Sequence, residues 1–267
     1  MRIAVIVSGM YREFETASKS WSFLHWPDVD VYFSTWDDTS ETNPRIHINV
    51  QEDVSYDRIA KHTPKLVRVS LESQDTLVHH SGQNKMIHRW KRGLAMVNFS
   101  NIDYKAVILI RPDLMLEYNE YQFRQFIENI QSNTFYVAPL FDKLYNIDCL
   151  VDINTGVTLP GYAINDQMFI GTLETINVLT TMNTPLKEEN RCHHRLFEHV
   201  NTNKVKIALI EPCGIRTAIT RYTSRGQTDF QKVFDDARGW YHWKLGDRRK
   251  KWIENIPKDF RWEDFPD

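Results

Sequence analysis

The chain has 267 residues, of which 42% are hydrophobic and 25% charged, with a formal net charge of −2. These are ordinary globular proportions, and the balanced charge excludes the basic field that draws proteins to nucleic acid. No apolar run nears the ~20 residues of a membrane span, and Cys149, Cys192 and Cys213, odd in number and far apart, predict reduced thiols of a soluble cytoplasmic protein rather than a disulfide framework.

Met1 to Met10 is apolar but shorter than a signal-peptide core, and Tyr11-Arg12-Glu13 interrupts it. Within it, Ile3 to Ser8 is a continuous Val- and Ile-rich run, which predicts a strand buried on both faces and ended by Gly9. Phe14, Ala17, Trp21 and Leu24 recur at helical spacing, so an amphipathic helix is expected from Tyr11 to His25. Pro27-Asp28 is a turn, and Val29 to Thr35 a second strand. The stretch from Asp37 to about Asn49 is polar and aperiodic and reads as a loop. Leu66 to Leu71 is a third strand. Met86, Trp90, Leu94 and Val97 mark a helix from Gln83 to Asn98. Ala106 to Ile110 is a fourth, purely apolar strand that stops at Arg111-Pro112-Asp113.

In the second half, Phe123, Phe126, Ile127 and Ile130 predict a short helix, and Phe135 to Leu140 a strand. Asp142 to Ile164 carries Gly, Asp and Asn and is expected to be a long functional loop. Phe169, Leu173, Ile176 and Leu179 predict a helix beginning near Asp166. A further helix covers Glu188 to Val200, and Val205 to Ile210 is an apolar strand. The tail after Arg221 sets Trp240, Trp243, Trp252 and Trp262 among charges. With no repeat and no clean linker, one continuous domain is expected.

The alternation predicts an α/β fold: a mainly parallel, Rossmann-like central sheet flanked by helices. Such sheets bind ligands at the carboxyl ends of their strands. That rule selects Ser8-Gly9-Met10-Tyr11-Arg12, Thr35-Trp36-Asp37 and Arg111-Pro112-Asp113. Gly9 permits close backbone approach to a ligand, and Arg12, at the start of the expected helix, can meet a phosphate.

The order of these parts is a strand ending in Ser-Gly-x-x-Arg, then Val29-Asp-Val-Tyr-Phe-Ser-Thr-Trp-Asp37, a helix opening with Gln83, and Val107-Ile-Leu-Ile-Arg-Pro-Asp-Leu114. It resembles the GT-A class of glycosyltransferases, in particular the short members of viruses and phages and of capsule or lipopolysaccharide gene clusters. The resemblance implies an enzyme that moves a hexose from a uridine diphosphate sugar, glucose being the first expectation, to a saccharide or other hydroxyl acceptor. It implies a nucleotide-sugar-binding half over residues 1–118, and an acceptor half with a C-terminal tail over residues 119–267.

In that class the last carboxylate of an Asp-x-Asp motif holds a divalent metal, usually manganese (Mn2+, or Mg2+ in its place), against the donor diphosphate. Asp113 keeps that position, while Arg111 stands where the first Asp is expected and can either pair with phosphate or hold Asp113. A late His often supplies a second metal ligand; His242, inside Gly239-Trp-Tyr-His-Trp243, has the matching place, with His193, His194 and His199 as alternatives, while His79 and His80 precede the metal strand and suit a loop. The resemblance also implies that Ser8 and Gly9 line the donor, that Asp37 accepts hydrogen bonds from base or ribose, and that Gln83 and Lys85 lean over it. Asn165-Asp166-Gln167 resembles, with Asn165 in place of the usual Glu, the segment whose later carboxylate either activates the acceptor hydroxyl or contacts the sugar; Asp166 is the expected base, with inversion at the anomeric carbon.

Chemistry alone supports part of this. A diphosphate leaving group concentrates negative charge, and a hard cation on a carboxylate neutralises it; Pro-Asp is also an ordinary turn. A carboxylate beside a hydroxyl takes its proton, worth typically ~10²–10⁴-fold; Asp is equally a preferred helix N-cap. The tail tryptophans are expected to pack rather than to stack on sugar, and Arg248-Arg249-Lys250-Lys251 to be a solvated face. A sugar-phosphate nucleotidyltransferase normally carries a Gly-rich loop after its first strand, where only Gly9 occurs here, and a non-catalytic carbohydrate-binding protein needs neither metal carboxylate nor nucleotide pocket. Neither GxxxxGK[ST] nor GxGxxG lies near Gly9, which disfavours a kinase or a dehydrogenase.

Overall fold

The structure is a computed structural model, and it describes residues 1–39, 41–43, 48–50, 52–77, 82–138, 149–151, 158–160, 166–183, 192–210, 215–220 and 226–236. The continuous apolar run Ile3–Ser8 forms β1, every residue of it buried. The chain continues through a single helical turn, α1 (Phe14–Ala17), to β2 (Val29–Trp36). A hairpin of β3 (Glu41–Asn43) and β4 (Ile48–Val50) follows, then α2 (Tyr56–His62), β5 (Leu66–Glu72), α3 (Gly82–Asn98) and β6 (Ala106–Ile110). A turn at Pro112 and Asp113 leads into β7 (Leu114–Glu117), α4 (Glu120–Glu128) and β8 (Thr134–Val137). The remaining elements are β9 (Cys149–Val151), β10 (Thr158–Pro160), β11 (Met168–Gly171), α5 (Leu173–Ile176), α6 (Cys192–Thr202), β12 (Lys206–Leu209) and β13 (Arg216–Ile219).

Seven strands form one sheet in the order β12-β8-β11-β6-β1-β2-β5. β5, β2, β1 and β6 are mutually parallel, as are β8 and β12. β11 alone is antiparallel, to β6 on one side and β8 on the other, which gives the mainly parallel sheet expected. Successive side chains of a strand point to opposite faces, and the sheet therefore separates two cores. On one face Val5, Val7, Phe33 and Ile108 pack with Phe14, Trp21, Phe23 and Phe123. On the other, Ala4, Ile6, Tyr32 and Leu109 pack with Ile87, Trp90 and Leu94 of α3 and with Leu196 and Val200 of α6. Gly93 lets α3 lie close on β1, since a Cβ there would come within 2.4 Å of Ile6 Cγ2. No helix among the described residues is long and apolar enough to cross a membrane.

Several expected elements differ. Phe14, Ala17, Trp21 and Leu24 are all buried, as their spacing requires, but Tyr11 to His25 is not one helix. After α1 come two 3₁₀ turns, Ser18–Ser20 and Ser22–His25, broken at Trp21 (φ −103°, ψ 71°). Serine hydroxyls that compete for backbone groups explain the break: Ser20 Oγ donates to Ala17 O at 2.6 Å and accepts from Leu116 N at 2.9 Å. The Trp21 indole donates to Leu114 O at 2.7 Å. The presumed loop Asp37 to Asn49 holds β3 and β4, and β9 and β10 pair within the expected long loop. A second unexpected element, α2, is capped by Ser55, whose hydroxyl accepts from Arg58 N.

The correction that matters most for function lies at Asp166. No helix begins there: Met168-Phe169-Ile170-Gly171 is a fully buried strand, and the helix starts only after Thr172, whose hydroxyl accepts from Thr175 N. Asp166 therefore caps no helix and instead leads into β11.

Candidate active site

The carboxyl ends of β1, β2 and β6 open into a cleft of about 470 Å³, within the range of small-molecule sites. Ser8, Gly9, Met10 and Arg12 reach it from the end of β1, Trp36 from β2 and Gln74 from beyond β5. Gly82, Gln83, Lys85 and Met86 belong to the first turns of α3, whose dipole favours negative charge at that end. Arg111, Pro112 and Asp113 follow β6. Asp166 completes the lining because β11 runs against β6, which sets the start of one beside the finish of the other: Met168 pairs with Ile110, and Arg111 N donates to Gln167 O at 3.1 Å.

Four charged side chains meet at one end of the cleft. Arg111 donates to both oxygens of Asp113, Nε to Oδ1 at 2.9 Å and Nη2 to Oδ2 at 3.0 Å. Its remaining arm, Nη1, donates to Asp166 Oδ2 at 3.2 Å. Arg12 Nη1 lies 3.7 Å from Asp113 Oδ2, and its Nη2 contacts Met10 Sδ at 3.0 Å. The Asp113 side chain is only 3% exposed, against 12% for Arg111 and 18% for Asp166. The backbone of Asp113 is fixed too, its carbonyl accepting from Thr220 N at 3.0 Å and Thr220 Oγ1 at 3.1 Å. Beside it Thr217 Oγ1 donates to Gln167 Oε1 at 2.8 Å, tying β13 to the residue after Asp166. Asp113 is thus both the turn residue that Pro-Asp suggests and the centre of a buried ion cluster.

This donor set does not fit a divalent cation. Both Asp113 oxygens already accept from Arg111. His242, His79 and His80 lie outside the described residues, as do the side chains of His193 and His194. His199 sits on α6, where its Nε2 is 2.7 Å from Val178 O, and does not line the cleft.

Of the other expected residues, Ser8, Gly9, Arg12, Gln83, Lys85 and Arg111 all line the cleft, and Asp37 does not. Asp37 is exposed; its N–H donates to Glu72 O at 3.0 Å. Its neighbour Asp38 accepts from Gln74 Nε2 at 2.6 Å, so Gln74, missed in the sequence, is the polar group that this corner supplies. Gly9 also has a structural part to play. Its φ of +133° favours glycine, and a Cβ would meet Pro112 Cδ at 3.3 Å, so its role is to let the ends of β1 and β6 approach. The tail tryptophans and Arg248 to Lys251 lie outside the described residues.

Trp36, which lines the cleft, rests on a network that periodicity did not reveal. Trp36, 2% exposed, stacks on His88 with ring centroids 6.0 Å apart, and the Arg89 guanidinium carbon lies 4.7 Å from its ring centre. Arg89 is fully buried in α3, donating to Ser34 Oγ at 3.0 Å and to Ser70 O and Oγ at 2.8 Å, with Glu72 at 3.2 Å. Burial pushes its guanidinium down to about 10, opposed by the Glu72 charge. Glu72 also receives His88 at 2.9 Å and Arg92 at 2.6 Å. Burial would raise the Glu72 carboxyl, but these hydrogen bonds and the charges of Arg89 and Arg92 outweigh it and hold the group at about 2. The legible signal was a charged residue, Arg89, beside the core residue Trp90 on the apolar side of a helix.

Comparison with protein-family models and with characterised protein sequences finds no match. Among solved structures the chain is similar to one titled "The Crystal Structure of UDP-glucose pyrophosphorylase complexed with UDP-glucose". The two are 12% identical over 91% of this chain and 99% of that chain, with a TM-score of 0.44. A likeness that loose carries nothing about ligand or reaction.

Proposed function

We propose that this chain is a glycosyltransferase that takes a hexose from a nucleoside diphosphate sugar, with uridine diphosphate glucose as the first donor to test. The observation that carries the reading is the delivery of Arg12, Arg111 with Asp113, and Asp166 by three separate segments to a single cleft at the strand ends. Guanidinium groups recognise phosphate oxygens by charge-assisted, fork-shaped hydrogen bonding, and a carboxylate beside them can take a proton. Arg12 and Arg111 hold the donor diphosphate, with Lys85 and the first turn of α3 across the cleft. Asp113 fixes the plane of Arg111. Asp166 accepts the acceptor's hydroxyl proton as that oxygen bonds to the anomeric carbon. The bond from that carbon to the diphosphate oxygen breaks, the nucleoside diphosphate leaves, and configuration inverts. No step is assigned to a divalent cation.

The deciding experiment is a panel of nucleotide sugars with mixed saccharide acceptors, read out as released nucleoside diphosphate. Release that depends on acceptor supports glycosyl transfer. Pyrophosphate formed from a nucleoside triphosphate and a sugar phosphate would make the chain a nucleotidyltransferase instead. Carbohydrate binding with no turnover of any nucleotide sugar would make it a binding protein.

A further inference from the structure

We infer that the cleft, on the reading that it binds a nucleoside diphosphate, meets the diphosphate oxygens with side-chain cations and requires no divalent metal. Three observations carry this. Arg111 is clamped by Asp113 and Asp166, so its guanidinium is already oriented before a ligand arrives and loses little freedom on binding. Arg12 approaches the same Asp113 at 3.7 Å and lines the same cleft, which sets two guanidinium groups around one point. Lys85, in the first turns of α3, lines the cleft as well and, among the described residues, brings the cations to three against the two carboxylates, a net positive lining. The carboxylate that a metal would need is the one these arginines occupy.

The assignment separates two roles. Arg12 and Arg111 touch the diphosphate; Asp113 is a positioning residue that acts through Arg111. A chain whose Asp113 faced a metal would lose ligand binding on chelation, whereas a chain built this way would not.

Calorimetric titration of the full chain with UDP, GDP, ADP and CDP tests it, each in EDTA and again in excess Mn2+ or Mg2+. At least one diphosphate is expected to bind in EDTA, with a Kd that metal changes by less than about threefold. Hydrogen bonds to charged groups contribute about 1.5–3 kcal/mol, equivalent to roughly ten- to hundredfold in affinity. Arg12→Gln should therefore weaken that diphosphate by about ten- to hundredfold and leave the matching nucleoside nearly unchanged. Arg111→Lys should do the same, because an ammonium keeps the charge but not the fork. Binding that appears only with metal overturns the metal-free assignment and leaves the nucleotide reading standing. No binding of any diphosphate, with or without metal, overturns both.

Discussion

Arg111 and Asp113 flank Pro112, and the guanidinium of one meets the carboxylate of the other through two parallel hydrogen bonds of 2.9 and 3.0 Å. Such a fork is stronger and more directional than a single contact. It also sits where water hardly reaches, with Asp113 only 3% exposed. Removing one partner from a buried pair leaves the other charge uncompensated, at a typical cost of about 3–5 kcal/mol. The same pair therefore bears on both folding and ligand binding.

Asp113→Asn should lower stability by about 3 kcal/mol, toward the small end of that range because Asp166 still engages Arg111. Urea unfolding followed by circular dichroism measures it. A variant as stable as the parent would mean that the fork contributes nothing to the fold. Loss of activity in this variant is then to be read only beside its measured folded fraction.

Asp166→Asn keeps shape and an oxygen for Arg111 but cannot take a proton. The turnover number should fall by roughly the ~10²–10⁴-fold typical of general-base catalysis, with donor affinity within a few-fold of the parent. Proton NMR of the product from an α-linked donor should show a β linkage. An α-linked product, or full activity of the variant, would remove Asp166 from the role of base.

Gly9→Ala should destabilise the chain by roughly 1–3 kcal/mol, the range for a residue held in sparsely populated backbone space. Its φ is +133°, and the added carbon would also press on Pro112 Cδ at 3.3 Å. Thermal unfolding measures the change, and a melting temperature equal to the parent's would show that the approach of β1 and β6 is not tight.

Glu72 gives a dependence on pH with a definite sign. Its folded value of about 2 lies below the ordinary 4.5, so the stability it contributes is complete above about 4.5 and is lost as pH falls toward about 2. Glu72→Gln should flatten that stretch of the stability curve, measured by urea midpoints between about pH 6 and pH 2.5. Curves of equal slope for parent and variant would refute it.

The sheet was legible because its strands are short apolar runs: Ala106–Ile110 begins and ends where its composition predicts. The periodicity of Phe14, Ala17, Trp21 and Leu24 correctly predicted burial but not helix, since local serine hydrogen bonds decide the backbone there. Phe169, Leu173, Ile176 and Leu179 misled for a related reason. Three- and four-residue spacing is met by chance when a four-residue buried strand runs straight into a helix, and only the unbroken run Met168-Phe169-Ile170 marked the strand. In the site, strand-end logic found Arg12, Arg111 and Asp113 because the chain marks them with Gly9 and Pro112. Gln74 and the Glu72–Arg89 network escaped it, since their pairing crosses from a strand edge to a helix and leaves no local pattern. Asp37 was drawn in by the same logic and then turned outward, one residue beyond the buried Trp36.

The reversed direction of β11 has a corollary for how the site is assembled. Asp166 is anchored by ladder bonds between Met168 and Ile110 and between Phe169 and Val137. The chain leaves β8 and returns to β11 at the same rim of the sheet, so the 139–165 connection is tethered at both ends by the sheet. The place of Asp166 at the cleft is thus set by the hydrogen-bond register of β11 against β6 and β8, a long way in sequence from the arginine it meets.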